Sequence, residues 1–415
     1  MDAAATDPDY DVLVAGGGLA GAALACALGA TGWRIGVLEP GGAGDRRAIA
    51  LSASSERVFR ALGLWEAVAP RAVPIRMVHV SQQGRFGVVR LRAEDTGLPT
   101  LGQVLHHEDL LHALHARIDA LAQVSLLRGW RATGLAEDAH GVTVTVSAHG
   151  GTGGRDHLRA RLVVAADGAR SVLREALGIP AQVTDYGQQA LVCTLETARE
   201  TRGVAYERFT PDGPLALLPA GARQCTLIWS RPEADAARLA TEPAERLGVA
   251  VQAAFGHRLG RLRVAGPVQR FALRMLRAER NVAGRVVLLG NAAHTLHPVA
   301  AQGFNLALRE TAWLAELLYG QWRAGAPPGA HGILEQFARR CAADLERTAR
   351  FTDALARLFT TPGLGPLRSA ALAGLDLAPP LRRRLARLGM GLYGAVPRLV
   401  AGVPLQEDER CMPIW

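Results

Sequence analysis

The chain has 415 residues, of which 49% are hydrophobic and 20% charged, enough to bury a large core in one or two domains and too apolar for extended disorder. It carries 47 basic residues against 38 acidic ones, a formal net charge of +9, and every basic residue is arginine. Because the arginines are scattered, with one cluster at Arg382-Arg383-Arg384 and Arg387, and aromatics make up only 5%, no nucleic-acid partner is expected.

The five cysteines are widely spaced and show no CxxC or Cys/His pairing, so neither a metal site nor a disulfide framework is expected, and a reducing cytoplasm fits. The run Val12–Trp33 is uncharged for 22 residues but rich in Gly and Ala, and it follows Asp7, Asp9 and Asp11. A secretory signal needs a basic start and a spanning helix needs more Leu and Ile, so no transmembrane helix is predicted.

In chain order, residues 11–15 read as a short buried strand, 19–31 as a small-residue helix and 34–39 as a second strand: a βαβ unit with a glycine loop at its first turn. Helical patterning follows at 54–64 and 107–122, then strands at 142–146 and 161–165, with Gly150–Gly154 as a hairpin tip. From 183 to 272 the pattern is alternating β, including 189–196, 204–209, 215–218 and 224–229. A buried strand at 285–289 and a helix at 305–318 come next. Residues 330–415 read as mostly helical, broken at Pro362-Gly363, Pro366, Pro379-Pro380 and Pro397.

Gly16-x-Gly18-x-x-Gly21 gives a tight turn, close backbone approach to a pyrophosphate and close helix packing, and Glu39 ends the next strand where a carboxylate can accept from a ribose hydroxyl. An acid there suits FAD or NAD and disfavours a 2′-phosphate. Asp167-Gly168 follows a second buried strand; taken alone it is as readily a β-turn with a solvated Arg174. The third strand end, Gly290-Asn291, opens the stretch to Asn305. Three such ends spread over nearly 300 residues suit one extended cofactor, FAD, better than an NAD site within a single contiguous domain.

On these residues, together with Asp45–Leu51, Tyr206-Glu207-Arg208-Phe209 and Gly213–Pro219, nearly the whole chain resembles the single-component flavoprotein aromatic hydroxylases. Within them it is most similar to the ubiquinone-biosynthesis group that hydroxylates 2-polyprenyl-6-methoxyphenols. The resemblance implies an α/β fold: a Rossmann-like FAD-binding domain (1–75, 104–182 and 273–330), an inserted mixed β-sheet substrate domain (76–103 and 183–272) and a helical C-terminal region (331–415). It implies FAD contacts from Arg47, from Asp167 near the pyrophosphate and the nicotinamide approach, and from Asn291 near the ribityl chain or pyrophosphate. Pro298 and the turn Gln302, Gly303 and Asn305 would lie against the flavin ring, and Pro214, Leu215 and Leu217 would cover the substrate. The implied reaction reduces FAD with NAD(P)H as a transient cosubstrate and hydroxylates a polyprenylated phenol with O2 through a flavin C4a-hydroperoxide. Its alternatives are an aromatic hydroxylase of another pathway and a non-catalytic flavoprotein subunit of a quinone-synthesis assembly.

Asn291 stands where most of the wider family has Asp, and His107 where an arginine is usual; Ala301, Ala307 and Glu310 replace Gly, Gly and Asp. No catalytic residue is assigned beyond the candidates His297 and Pro298. His294 and His297 are proton-shuttle candidates whose plainer role is packing. The basic C-terminal segment reads as a solvated helix face that could also meet a membrane surface, giving a cytoplasmic protein peripheral to the inner face of the membrane.

Overall fold

The computed structural model describes residues 7–42, 47–148, 156–296, 302–360 and 365–406. β1 (Tyr10–Ala15), α1 (Leu19–Leu28) and β2 (Ile35–Glu39) form the expected βαβ unit. β1 lies parallel between β2 and β11 (His157–Ala165), with Val14 opposite both Val37 and Val164. β19 (Val286–Leu288) is parallel on the far side of β11, and β8 (Val124–Arg128) on the far side of β2. β18 (Val282–Ala283) and the hairpin of β9 (Trp130–Asp138) and β10 (Gly141–Ala148) complete this first sheet. Because β1, β11 and β19 are adjacent and parallel, their carboxyl ends share one edge. That edge holds the glycine loop, Asp167 and Gly290-Asn291, and it is where open α/β sheets bind ligands.

Nine of the ten residues of α1 are buried, and six of the ten are alanine or glycine, so the helix sits close under the sheet against α8 (Gln302–Arg323). Leu24 and Leu28 are wholly buried in the same core and contribute about 1.5–3 kcal/mol each. α2 (Ala53–Ala61), α3 (Trp65–Val68), α4 (His107–Asp119) and α9 (His331–Thr360) add to this core.

The second sheet has nine strands. β12 (Ala181–Thr197) is its spine, pairing with β15 (Gln224–Pro232), β16 (Leu262–Val264) and β17 (Gln269–Ala278). β14 (Gly213–Gly221), β13 (Val204–Thr210), β5 (Met77–Gln82) and β6 (Val88–Arg92) extend one edge, and β20 (His294–Thr295) closes the other. A small sheet of β3 (Ala48–Ser52), β7 (Gly102–His106) and β4 (Val73–Ile75) sits between the two larger ones.

Two expectations need correction. The 183–272 segment is not all β: α6 (Glu233–Thr241) and α7 (Ala244–Phe255) follow Pro232 and Pro243 and bury Ala236, Leu239, Leu247, Val251 and Phe255 at helical spacing against one sheet face. The helical run breaks at Pro366 and Pro379-Pro380 as expected, and these prolines stand in the first turns of α10 (Gly365–Asp376) and α11 (Pro379–Gly389), where a missing N–H costs nothing. Arg382 is not part of a solvated face, since it is buried and forks onto Asp95 with two 2.9 Å hydrogen bonds. α5 (Val172–Ala176) and α12 (Arg398–Ala401) are short. Gly150–Gly154 lies outside the described residues.

Candidate flavin site

Gly16 has φ +112°, and a Cβ there would stand 2.3 Å from the carbonyl oxygen of Ala166 at the end of β11. A Cβ on Gly21 would stand 2.0 Å from the carbonyl oxygen of Gly16. These two glycines therefore close the turn and seat α1. At Gly18 a Cβ would meet nothing within 4 Å, so the loop's middle faces open space at the helix N-terminus. His115 of α4 holds the loop from behind, its Nε2 2.7 Å from the Gly17 carbonyl. Glu39 ends β2 half-buried, and its carboxylate accepts from the Gly41 N–H at 2.9 Å.

Asp167 starts the turn after β11. Its Oδ2 accepts from Leu173 N at 3.3 Å, while its Oδ1 is buried and has no partner among the described residues. Arg174 is buried rather than solvated: its Nη1 donates to the carbonyls of Ala169 (3.1 Å) and Ala292 (3.0 Å), pinning the turn after β11 to the turn after β19. In the latter, Gly290 takes φ +59° and Asn291 is exposed.

His297, Pro298 and Ala301 lie outside the described residues. At the start of α8, a Cβ on Gly303 would meet open space. Gln302 donates to the Gly389 carbonyl at 3.0 Å. The buried carboxamide of Asn305 is a structural clamp: Oδ1 accepts from Ser52 N (2.8 Å) and Ser55 Oγ (2.7 Å), and Nδ2 donates to the Ala50 carbonyl (2.9 Å). His294, 3% exposed, has Nε2 2.8 Å from both carboxylate oxygens of Glu310, tying β20 to α8, so it plays the packing role and not that of a solvent-facing shuttle.

Arg47 precedes β3. Its carbonyl accepts from His107 N at 2.9 Å, and its guanidinium lies 4.9 Å from the ring centroid of Phe271 on β17. That stacking identifies which face of the second sheet meets the flavin domain. Laterally paired residues share a face, so Ala190, Ser230, Pro214 and Phe209 lie in the row of Phe271, and Val192, Ile228, Ala216, Glu207 and Val80 in the next. Ala205, Leu218, Val78 and Ile228 of this face pack with residues of β3, β4 and β7. Leu215 and Leu217 alternate to the opposite face, where they are fully buried under α6 and α7. They are core residues and not a substrate cover; Pro214 is on the flavin side.

His115, Arg174, Ser52, Ser55 and Glu207 escaped the sequence reading as site residues. Only Glu207 carried a signal, as an acid between Ala205 and Phe209 on one side of β13. A cavity of about 240 Å3 between α8, α9 and the loop after α11, bordered by Gln302, Arg309, Trp313 and Arg340, contains none of the strand-end residues.

The cradle suits a long dinucleotide: glycines a side chain would block, open space over Gly18 and Gly303, and the orphaned Asp167 Oδ1 awaiting a donor. A family described as FAD binding domain matches residues 9–352. The chain belongs to that family. It is 36% identical over 412 residues to ubiquinone hydroxylase UbiL of Rhodospirillum rubrum, covering 96% of this chain and 94% of the relative. To the 3-demethoxyubiquinol 3-hydroxylase of Escherichia coli it is 29% identical over 402 residues, covering 93% and 100%. The solved p-nitrophenol 4-monooxygenase PnpA of Pseudomonas putida shares the fold, with TM-score 0.76 at 20% identity over 90% of this chain and 96% of that one. The protein is thus an FAD-dependent aromatic-ring monooxygenase of the ubiquinone-hydroxylase kind, with NAD(P)H as electron donor. Glu39, the glycine loop, Asp167 and the Gly290-Asn291 turn, gathered at one edge of the first sheet, are the groups that could hold FAD.

Proposed function

We propose that this enzyme hydroxylates the ring of a polyprenylated phenol in ubiquinone biosynthesis. The observation that carries the reading is the flavin-facing floor of the second sheet, whose central rows are built from Ala190, Val192, Ile228, Ala216 and Leu218 around one carboxylate, Glu207. An apolar floor suits an aromatic ring with a hydrocarbon tail, and the near full-length match to a ubiquinone hydroxylase supports the same substrate class. When bound, FAD would supply the redox chemistry, accepting hydride from NAD(P)H and, with O2, providing one oxygen atom for the ring. The chain's part is to orient the ring on the floor and keep water from it. A strain lacking this gene is expected to accumulate a polyprenyl-phenol precursor, measured by lipid mass spectrometry. Normal quinone levels in that strain contradict the reading.

A hydrocarbon-tailed substrate resides in a membrane, and the C-terminal helices fit contact with one. No helix among the described residues is long and apolar enough to cross a membrane. Leu367, Leu377 and Leu381 are 67%, 83% and 56% exposed, close to the exposed Arg383, Arg384 and Arg387. Exposed leucines beside arginines suit the surface of an anionic bilayer, each arginine contributing about 1 kcal/mol. Changing Arg383, Arg384 and Arg387 together to glutamate is expected to lower binding to anionic vesicles at least tenfold in a sedimentation assay. Unchanged binding would count against membrane docking through this face.

A further inference from the structure

Glu207 is the one ionisable side chain in the central rows of the sheet face that carries Phe271, at the end where Val80 and Phe209 pack with Leu372 of α10. It is flanked on its row by Ala216 of β14 and Val80 of β5, and along its strand by Ala205 and Phe209. The carboxylate has no hydrogen bond or ion pair among the described residues. The charges around it are engaged elsewhere. Arg208 of its own strand points to the opposite face, donating to the Ala254 carbonyl (2.9 Å) and Ser81 Oγ (3.2 Å). Arg90 of β6 pairs with Asp376 of α10 at 3.5 Å, and Arg368 of α10 is bound by other groups. A half-buried carboxylate with no internal partner is costly unless a ligand group supplies one.

We propose that Glu207 accepts the proton of the substrate's phenolic hydroxyl as the ring carbon takes up oxygen. This rests on the phenol reading above. As the new C–O bond forms ortho or para to the hydroxyl, the phenolic O–H bond breaks, its electron pair closes a ring carbonyl, and the proton passes to the Glu207 carboxylate. The ring then loses its C–H proton to the second oxygen atom of O2, which leaves as water, and the carbonyl oxygen regains its proton from Glu207. Electrons come from NAD(P)H through FAD, so Glu207 ends each cycle as it began.

Burial pushes the Glu207 carboxyl up to about 7. The proton-accepting form therefore dominates above neutrality and is lost as pH falls through that value.

The test uses FAD-loaded wild type, Glu207→Gln and Glu207→Asp, with 2-methoxyphenol and its methyl ether 1,2-dimethoxybenzene as probes. Binding is read from the perturbed flavin absorption spectrum and turnover from NAD(P)H oxidation and product. Wild type is expected to prefer the phenol over the ether at pH 8 and to lose that preference below pH 7. In Glu207→Gln the preference should be small and independent of pH. Its turnover should fall about 10²- to 10³-fold with loss of the limb near pH 7. Glu207→Asp should recover part of the turnover. A Glu207→Gln enzyme with wild-type turnover and pH profile overturns the role of Glu207 alone. A wild type that binds neither probe, with no phenol-stimulated NAD(P)H oxidation, overturns the phenol reading and this role together.

Discussion

Gly16→Ala protein is expected to purify with less than a tenth of the FAD of wild type, read from the ratio of flavin to protein absorbance. Two effects combine. The φ of +112° is available to glycine and strains any other residue by about 1–3 kcal/mol. In addition the new Cβ would sit 2.3 Å from the Ala166 carbonyl oxygen, a main-chain atom at the end of β11 that cannot swing aside. Relief requires β1 and β11 to part at the edge where Asp167 and the glycine loop face the cofactor. Each ~1.4 kcal/mol lost from FAD binding is tenfold in affinity, so strain of this size removes most of the cofactor at ordinary protein concentrations. Gly18→Ala is the control: its Cβ meets no protein atom within 4 Å, so any loss of FAD there reports a clash with the ligand and not with the fold. A Gly16→Ala enzyme that is fully yellow and melts like wild type contradicts this account of the loop.

The flavin edge was legible in the sequence because its parts are local. Gly16 to Gly21 fall between a strand and a helix that read clearly, and β11 and β19 end in the apolar runs Leu162–Ala165 and Val286–Leu288, of the kind a buried parallel sheet needs. Their convergence followed from the demand of one long ligand for three strand ends. The substrate floor was legible only in part. Both faces of the second sheet are covered by apolar layers, so alternation along Gly213–Gly221 does not tell which face meets the flavin; Leu215 and Leu217 looked more apt than Ala216, yet they belong to the core under α6 and α7. Phase was set by the stacking of Arg47 on Phe271, a contact between residues 224 positions apart that no local pattern encodes. Arg382 failed for the same reason: its partner Asp95 is 287 residues away. Glu207 is legible in hindsight as a polarity that neither core nor surface explains.

Asn305→Ala is expected to lower stability by roughly 2–4 kcal/mol and to weaken FAD binding at the same time. The side chain is 2% exposed, and its carboxamide satisfies Ser52 N–H, the Ser55 hydroxyl and the Ala50 carbonyl. Removing it leaves the buried Ser52 N–H and the partly buried Ala50 carbonyl without their protein partner. The strand concerned is β3, which begins directly after Arg47. Loosening it frees the backbone that holds Arg47 between the His107 N–H and the ring of Phe271. The same substitution cuts the tie between the first turn of α8 and β3. Stability and FAD affinity should therefore fall together in Asn305→Ala. Ser55→Ala, which removes only one hydroxyl donor, should cost about 1 kcal/mol and keep FAD. Thermal unfolding of the apoprotein and FAD titration separate the two effects. If Asn305→Ala loses stability but binds FAD like wild type, the clamp supports the fold alone and the link from α8 through β3 to Arg47 is wrong.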